Sequence, residues 1–201
     1  MRHRLHTRTR PHATPLAVVL AAVFPACPAG SWPDSPNPTA AEPICGPDLN
    51  PRSATGGVEH CLPGDLPDGT ALYFASVYCG HCTTNLDPLR QRMLELESEG
   101  LSPRLVWIQL GAAVAGPDAV AGHFDAAWDF PVYQDSPDGA LWRAFHAEWY
   151  QLVIVDRRAG PGDPRRFGPL SPANTAGEEG DRIVKAWREV LLRDRAPSTG
   201  P

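Results

Sequence analysis

Apolar residues in the later part of the chain fall into short runs and helically spaced stripes. The unbroken apolar run over 70–77 predicts a buried strand, and the stripe over 79–99 predicts a helix that Pro88 should bend. The elements predicted after these are a strand over 104–110, a weak helix over 117–128, an extended piece over 130–134, a helix over 139–146, a strand over 152–155, a poorly defined strand over 165–168 and a helix over 178–193. Strands alternating with helices predict an α/β fold with parallel central pairing and an antiparallel edge.

Residues 1–27 have the pattern of a signal peptide. Four arginines and no acidic residue precede Leu16–Phe24, an apolar stretch of nine residues that is too short to span a bilayer. No Arg–Arg pair occurs there, which favours general secretion over the twin-arginine route. A short anchor helix is the alternative. The pattern predicts an exported protein, located in the periplasm, anchored to the envelope or secreted.

Cys27 is a candidate lipidation site. Ala26 before it fits a bacterial lipoprotein box, whereas Phe24 and Pro25 are poor residues for the two preceding positions. Lipidation would anchor the protein to a membrane. Conventional cleavage near Ala29 would release it, and both alternatives stay open.

Residues 28–57 contain seven prolines and predict an extended tether, with the folded domain over 58–196. Cys45 and Cys61 bracket the end of this tether. In an oxidising compartment a disulfide between them would fasten the tether to the domain edge. Two unpaired or partner-linked thiols are the alternative.

Charge narrows the range of partners. The chain of 201 residues has a net charge of −5, and beyond its first 26 residues 14 basic side chains face 23 acidic ones, a net −9. This balance argues against nucleic acid as a partner and against binding to anionic lipid by charge. We expect no organic cofactor and no metal.

Cys79-Gly80-His81-Cys82 lies where the first predicted strand meets the first predicted helix. The free N–H groups at a helix start favour a thiolate, so this placement is typical of thiol–disulfide exchange. A purely structural Cys79–Cys82 disulfide is less favoured, because so small a ring constrains little chain entropy. A zinc site would need a second close cysteine pair, which Cys45 and Cys61 do not supply.

With this motif, the bent helix and the later strand ending in Asp156, residues 70–193 resemble the thioredoxin-like superfamily. The tetrapeptide itself looks like the active site of protein disulfide isomerases. A closer resemblance is to the N-terminal domain of selenoprotein P, although that family's selenocysteine has no visible counterpart here. The pieces that carry this closer resemblance are Ala75–Tyr78, Phe130–Gln134 with Trp142, and Asp156-Arg157.

At two positions the sequence departs from the pattern of thioredoxins. The place of the usual cis-proline falls at about Tyr150, and no proline lies between Pro137 and Pro161. The place of the usual buried acid falls near Tyr73. Both departures weaken the expectation of general reductase activity.

Thiolate chemistry then assigns roles within the motif. Cys79 would be the exposed nucleophile and Cys82 the buried resolving thiol, while His81 would place positive charge near the thiolate. An exposed turn residue without a tuning role is the alternative for His81. The predicted partners are thiol- or disulfide-containing proteins, small thiols and a redox partner protein. The alternative function is a non-catalytic binding or scaffold module of a cell-envelope lipoprotein.

Overall fold

The computed structural model describes residues 43–111, 114–125, 127–156 and 165–195, except for the side chain of His81. The predicted signal peptide, Cys27 and the first half of the tether lie outside the described residues. The elements are β1 (Ile44–Pro47), β2 (Glu59–Leu62), β3 (Thr70–Ala75), α1 (Gly80–Thr84), α2 (Leu86–Ser98), β4 (Arg104–Gln109), α3 (Pro117–His123), β5 (Val132–Gln134), α4 (Ala140–Ala144), β6 (Gln151–Ile154), β7 (Arg165–Phe167), α5 (Pro172–Ala176) and α6 (Glu178–Arg195).

Five strands form the main sheet in the order β5-β4-β3-β6-β7, while β1 and β2 form a separate two-stranded sheet. Strand β4 runs parallel to both β3 and β5. Strand β6 runs antiparallel to both β3 and β7. The predicted α/β class, with parallel pairing at the centre and an antiparallel edge, is confirmed.

The hydrophobic core lies on both faces of this sheet. All six residues of β3 are buried, as expected of a central strand covered on two sides. On one face, Leu89 of α2 and Trp187 of α6 belong to the same buried cluster as Trp107 of β4. On the other, Trp142 of α4 packs edge-on to Phe74 of β3. Within the described residues, no helix has the length and apolarity needed to cross a membrane.

Residues 43–57 differ from the extended tether that their prolines predict. They form β1 and then a loop that pairs with the edge of β5: the Leu49 N–H donates to the Val132 carbonyl at 2.8 Å, and the Val132 N–H donates to Asp48 Oδ1 at 2.9 Å. The folded domain therefore begins before residue 58. A side-chain acceptor contributes to this pairing, since the Asp48 carboxylate accepts the Val132 N–H in the way that a backbone carbonyl of a neighbouring strand would.

Two buried polar side chains hold this loop. The Asp48 carboxylate also accepts bonds from the Asn50 N–H at 2.9 Å and the Thr55 hydroxyl at 2.8 Å. The Asn50 amide donates to the carbonyls of Phe130 at 2.7 Å and Trp128 at 3.2 Å. Asp48 is only 2% exposed and Asn50 is completely buried, so water cannot replace these partners.

Cys45 and Cys61 face each other across β1 and β2 and form a disulfide with an S–S distance of 2.00 Å. Their Cα atoms are 4.0 Å apart. The bond closes the segment that contains the Asp48 loop. It therefore fastens the structured end of the predicted tether to β2.

One helix is shorter than the sequence predicts, and another is not predicted. Helix α3 ends at His123 rather than near residue 128. Helix α5 has no predicted counterpart, because it has only five residues and no apolar stripe. It begins at a reciprocal cap, in which the Ser171 hydroxyl accepts the Asn174 N–H at 3.2 Å and the Asn174 side chain accepts the Ser171 N–H at 2.6 Å.

Replacing Asp48 with Ala should lower the free energy of unfolding by about 3 kcal/mol, because the buried N–H groups of Asn50 and Val132 lose their acceptor. Urea unfolding of the oxidised protein measures the change. The exposed Asp129 is a matched control, and Asp129→Ala should cost less than about 0.5 kcal/mol. Equal effects of the two substitutions would contradict the role given to Asp48.

Peptide mapping of the native protein under non-reducing conditions should recover a Cys45–Cys61 link. The Cys45→Ser, Cys61→Ser double variant should lose about 3 kcal/mol of stability, the value typical of a closed loop of this length. The sequence separation of the two cysteines is 16. Alkylation of both thiols in the native protein would show that the pair is not formed.

Candidate functional site

The loop that leads to Cys79 leaves the carboxyl end of β3. Gln109 of β4 is completely buried, and its Oε1 accepts the Val77 N–H at 2.8 Å. Its Nε2 donates to Ser76 Oγ at 3.2 Å, and that oxygen also accepts the Tyr78 N–H at 3.2 Å. One buried amide thus fixes the backbone over 76–78 and sets where the helix starts.

Cys79 is the N-cap residue of α1, and Cys82 lies within the first turn. The Cys79 N–H donates to the Ser76 carbonyl at 3.0 Å, and the Cys82 N–H donates to the Cys79 carbonyl at 3.0 Å. Both residues are thiols in this structure, and their exposed fractions are 7% for Cys79 and 0% for Cys82. Cys82 has the burial expected of a resolving thiol, whereas Cys79 is far less exposed than the sequence predicts.

The predicted helix over 79–99 is two helices. Helix α1 ends at Thr84 and α2 begins at Leu86, with Asn85 between them. The break follows from Pro88, which has no N–H to donate and whose ring crowds the carbonyl of Thr84 four residues earlier. The predicted effect of Pro88 is therefore seen as an interruption of the helix at Asn85, three residues before the proline.

Tyr73 and Asn85 form a buried pair beneath Cys82. The Tyr73 hydroxyl donates to the Cys82 carbonyl at 3.2 Å and accepts a bond from the Asn85 amide at 2.9 Å. The same amide donates to the Leu170 carbonyl at 2.9 Å. Burial raises the pKa of Tyr73, so this phenol stays neutral at the position where a thioredoxin has its buried acid. Tyr73 holds the helix backbone and supplies no carboxylate base to Cys82.

Tyr150 lies directly against Cys79, with its hydroxyl oxygen 3.2 Å from the Cys79 sulfur. Its backbone is left-handed, with φ of +63°, a conformation that costs roughly 1–2 kcal/mol for a residue with a side chain. Two backbone bonds hold it there: its N–H donates to the Phe74 carbonyl at 3.1 Å, and its carbonyl accepts the Leu170 N–H at 2.8 Å. The half-buried ring packs on the same core cluster that contains both site cysteines, which accounts for the low exposure of Cys79.

The structure brings Cys79, Cys82 and the backbone of His81 into one helical turn. Cys45 and Cys61 lie in the other, two-stranded sheet. Counting back from β6 placed Tyr150 at the loop facing the motif, but its contact with sulfur was not predicted. Nothing in the spacing pointed to Gln109 or Asn85. Across the described ranges, no group of three His, Cys, Asp or Glu side chains is arranged to hold a metal ion.

No protein-family model and no curated protein matches the chain in sequence. Solved structures match it in fold. A protein from Chlorobium tepidum named as a thiol:disulfide interchange protein DsbE is 19% identical, with a TM-score of 0.52 over 79% of this chain and 99% of that one. Copper-bound ScoI from Arabidopsis thaliana is 14% identical, with a TM-score of 0.53 over 75% of this chain and 99% of that one.

A SCO1/SenC family lipoprotein from Bacillus anthracis is similar to the same extent. It is 10% identical, with a TM-score of 0.52 over 74% of this chain and 93% of that one. At such identities a likeness shows architecture alone. The mixed sheet, the helices on both of its faces and these neighbours together show that the chain has a thioredoxin-like fold.

Proposed function

We propose that this protein is an exported thiol–disulfide oxidoreductase that uses Cys79 and Cys82 as its redox pair. The observation that carries the proposal is the placement of two thiols in one turn of a helix that starts at the end of the central strand. The Cys79 side chain makes no capping hydrogen bond to the helix in this structure. Its N-cap position still places it beside the N–H end of a helix, a setting that favours a thiolate. Protein disulfides and small thiols are the proposed substrates.

The exchange balances without a cofactor. The Cys79 thiolate attacks one sulfur of a substrate disulfide; a Cys79–substrate bond forms, the substrate disulfide breaks and its other sulfur leaves as a thiolate. Cys82 then attacks the Cys79 sulfur, its proton passes to the substrate thiolate that was released or to solvent, and the second substrate sulfur leaves as a thiolate. The site has lost two electrons, and a redox partner protein restores it. The same steps run in reverse oxidise a substrate dithiol.

His81 is proposed to tune this couple. It lies between the two cysteines in α1, and an imidazolium there would favour the thiolate form of Cys79. A stabilised reduced form makes the disulfide form a better oxidant. This proposal rests on the sequence motif, because the structure describes the backbone of His81 and not its side chain.

A binding module of the cell envelope is the second candidate function. The burial of Cys79 favours it, because a disulfide substrate must approach the sulfur in line with the breaking bond. The absence of a carboxylate at Tyr73 favours it as well. The finer resemblance to the N-terminal domain of selenoprotein P stays a prediction that rests on short sequence pieces.

Replacing Cys79 with Ser should abolish disulfide exchange, whereas replacing Cys82 with Ser should trap a mixed disulfide at Cys79. Reduction of insulin and refolding of scrambled ribonuclease measure the exchange, and non-reducing electrophoresis of a host extract detects the trapped species. The reason for the asymmetry is that Cys82 lies one helical turn after Cys79 and is proposed to resolve the mixed disulfide by attacking the Cys79 sulfur.

The Cys45→Ser, Cys61→Ser double variant is the matched control, since it removes two cysteines outside the site. It should keep the exchange rate at temperatures where it is folded. If the unsubstituted protein catalyses neither assay and the Cys82→Ser variant traps nothing, the oxidoreductase proposal is wrong and the binding module is favoured.

Mass spectrometry of the mature N-terminus should distinguish the two export routes. We propose lipidation at Cys27, because Ala26-Cys27 suits a lipoprotein box and a proline-rich segment follows it. A mature protein that begins at acylated Cys27 supports an envelope anchor. An unmodified start near Gly30 would show that the protein is released.

A further inference from the structure

Chemistry decides which group donates the hydrogen bond between Tyr150 and Cys79 once Cys79 is ionised. The hydroxyl oxygen and the sulfur are 3.2 Å apart, which is within hydrogen-bonding distance for sulfur. A thiolate has no proton to donate, so once Cys79 ionises the phenol must be the donor. A phenol also holds its proton more tightly than a thiol, with ordinary pKa values of about 10 and 8.5. The proton therefore stays on Tyr150.

The backbone around Tyr150 is built to keep this contact. The bonds to Phe74 and Leu170 hold the residue between β3 and the loop before α5. Gly168 permits that approach, because a Cβ on it would lie 2.9 Å from the Tyr150 carbonyl oxygen. A bulky residue with positive φ is uncommon, and such strained residues cluster at functional sites.

Resting on the proposed function, we propose that Tyr150 is a catalytic residue whose hydroxyl donates a hydrogen bond to the Cys79 thiolate. The bond stabilises Cys79 whenever its sulfur carries charge, as the attacking nucleophile and, in the reverse direction, as the leaving group. It weakens when Cys79 enters a disulfide, because a neutral sulfur is a poor acceptor. Tyr150 thus favours the reduced form of the site.

Other titratable groups belong to this part of the molecule. Cys82 and the backbone of His81 lie in α1, and Tyr73 lies in β3. Burial is the main cause of the raised pKa of Tyr73, and the two site cysteines and Tyr150 raise it further. Tyr73 bonds to the Cys82 carbonyl, so its hydroxyl is committed to the backbone. A test must therefore isolate Cys79 from Cys82 and change only the Tyr150 hydroxyl.

The experiment uses the full chain carrying Cys82→Ser and follows iodoacetamide alkylation of Cys79 by mass spectrometry across pH. Tyr150→Phe keeps the aromatic ring and removes the donor, so the midpoint of the pH profile should rise. Below the midpoint the alkylation rate should fall about tenfold, which corresponds to about 1.4 kcal/mol. Thermal unfolding of each variant shows that it is folded.

Tyr78→Phe is the matched control. Tyr78 lies next to Cys79 in sequence, but its side chain is 62% exposed and its hydroxyl donates to the Val114 carbonyl at 3.0 Å. This variant should keep the parent midpoint. A purely packing role for Tyr150 predicts the parent midpoint for Tyr150→Phe as well, and that result would overturn the proposal.

Fluorinated tyrosine incorporated at position 150 alone supplies a second measurement, which keeps both the ring and the hydroxyl donor. Its more acidic phenol donates a stronger bond, so the Cys79 midpoint should fall, and an unchanged midpoint would count against the donor role. These readouts do not depend on turnover. If the unsubstituted protein catalyses no disulfide exchange, the proposed function is wrong. If the Cys79 midpoint is the same with and without the Tyr150 hydroxyl, the proposed role of Tyr150 is wrong.

Discussion

Every part of the site is attached to β3, the strand that is buried along its whole length. Its carboxyl end leads to Cys79, the Tyr73 side chain holds the Cys82 carbonyl, and the Phe74 carbonyl holds the N–H of Tyr150. At the other end, the Gly69 carbonyl accepts the Trp187 indole N–H at 2.5 Å and joins α6 to the start of the strand. Because β3 is covered on both faces, it cannot shift without opening the core. The bonds to β3 therefore hold the two thiols at fixed positions.

Two tyrosines lie at the site, Tyr73 beneath Cys82 and Tyr150 beside Cys79. The resemblance to thioredoxins predicts a buried acid near the first and a cis-proline at about the second. Tyr73 is a neutral phenol bonded to backbone, so deprotonation of Cys82 must rely on solvent or substrate. Tyr150 places a hydroxyl 3.2 Å from the Cys79 sulfur, a group that a proline lacks. With the donor role proposed for Tyr150, Cys79 ionises before Cys82, which is the order that the proposed exchange reaction requires.

The sequence predicted β3, β4 and β6 because each contains an apolar run, and it predicted α2 and α6 because each carries an apolar stripe. It failed over 43–57, where the prolines suggested a tether. There the structure depends on Asp48 and Asn50, whose bonds to Val132 and Phe130 join residues about eighty positions apart. No local pattern encodes such a contact. The same limit applies to Tyr150, whose bond to Cys79 spans 71 positions and depends on a left-handed backbone that tertiary bonds impose.

The two cysteine pairs lie in different kinds of secondary structure. Cys45 and Cys61 are opposite residues of β1 and β2, so their disulfide spans two paired strands and holds the Asp48 loop against the β5 edge. Covering that edge protects a strand that would otherwise offer free backbone groups to another chain. Cys79 and Cys82 share one helical turn, in which a disulfide closes a very small ring and removes little chain entropy. The first pair is therefore suited to holding structure, and the second to opening and closing.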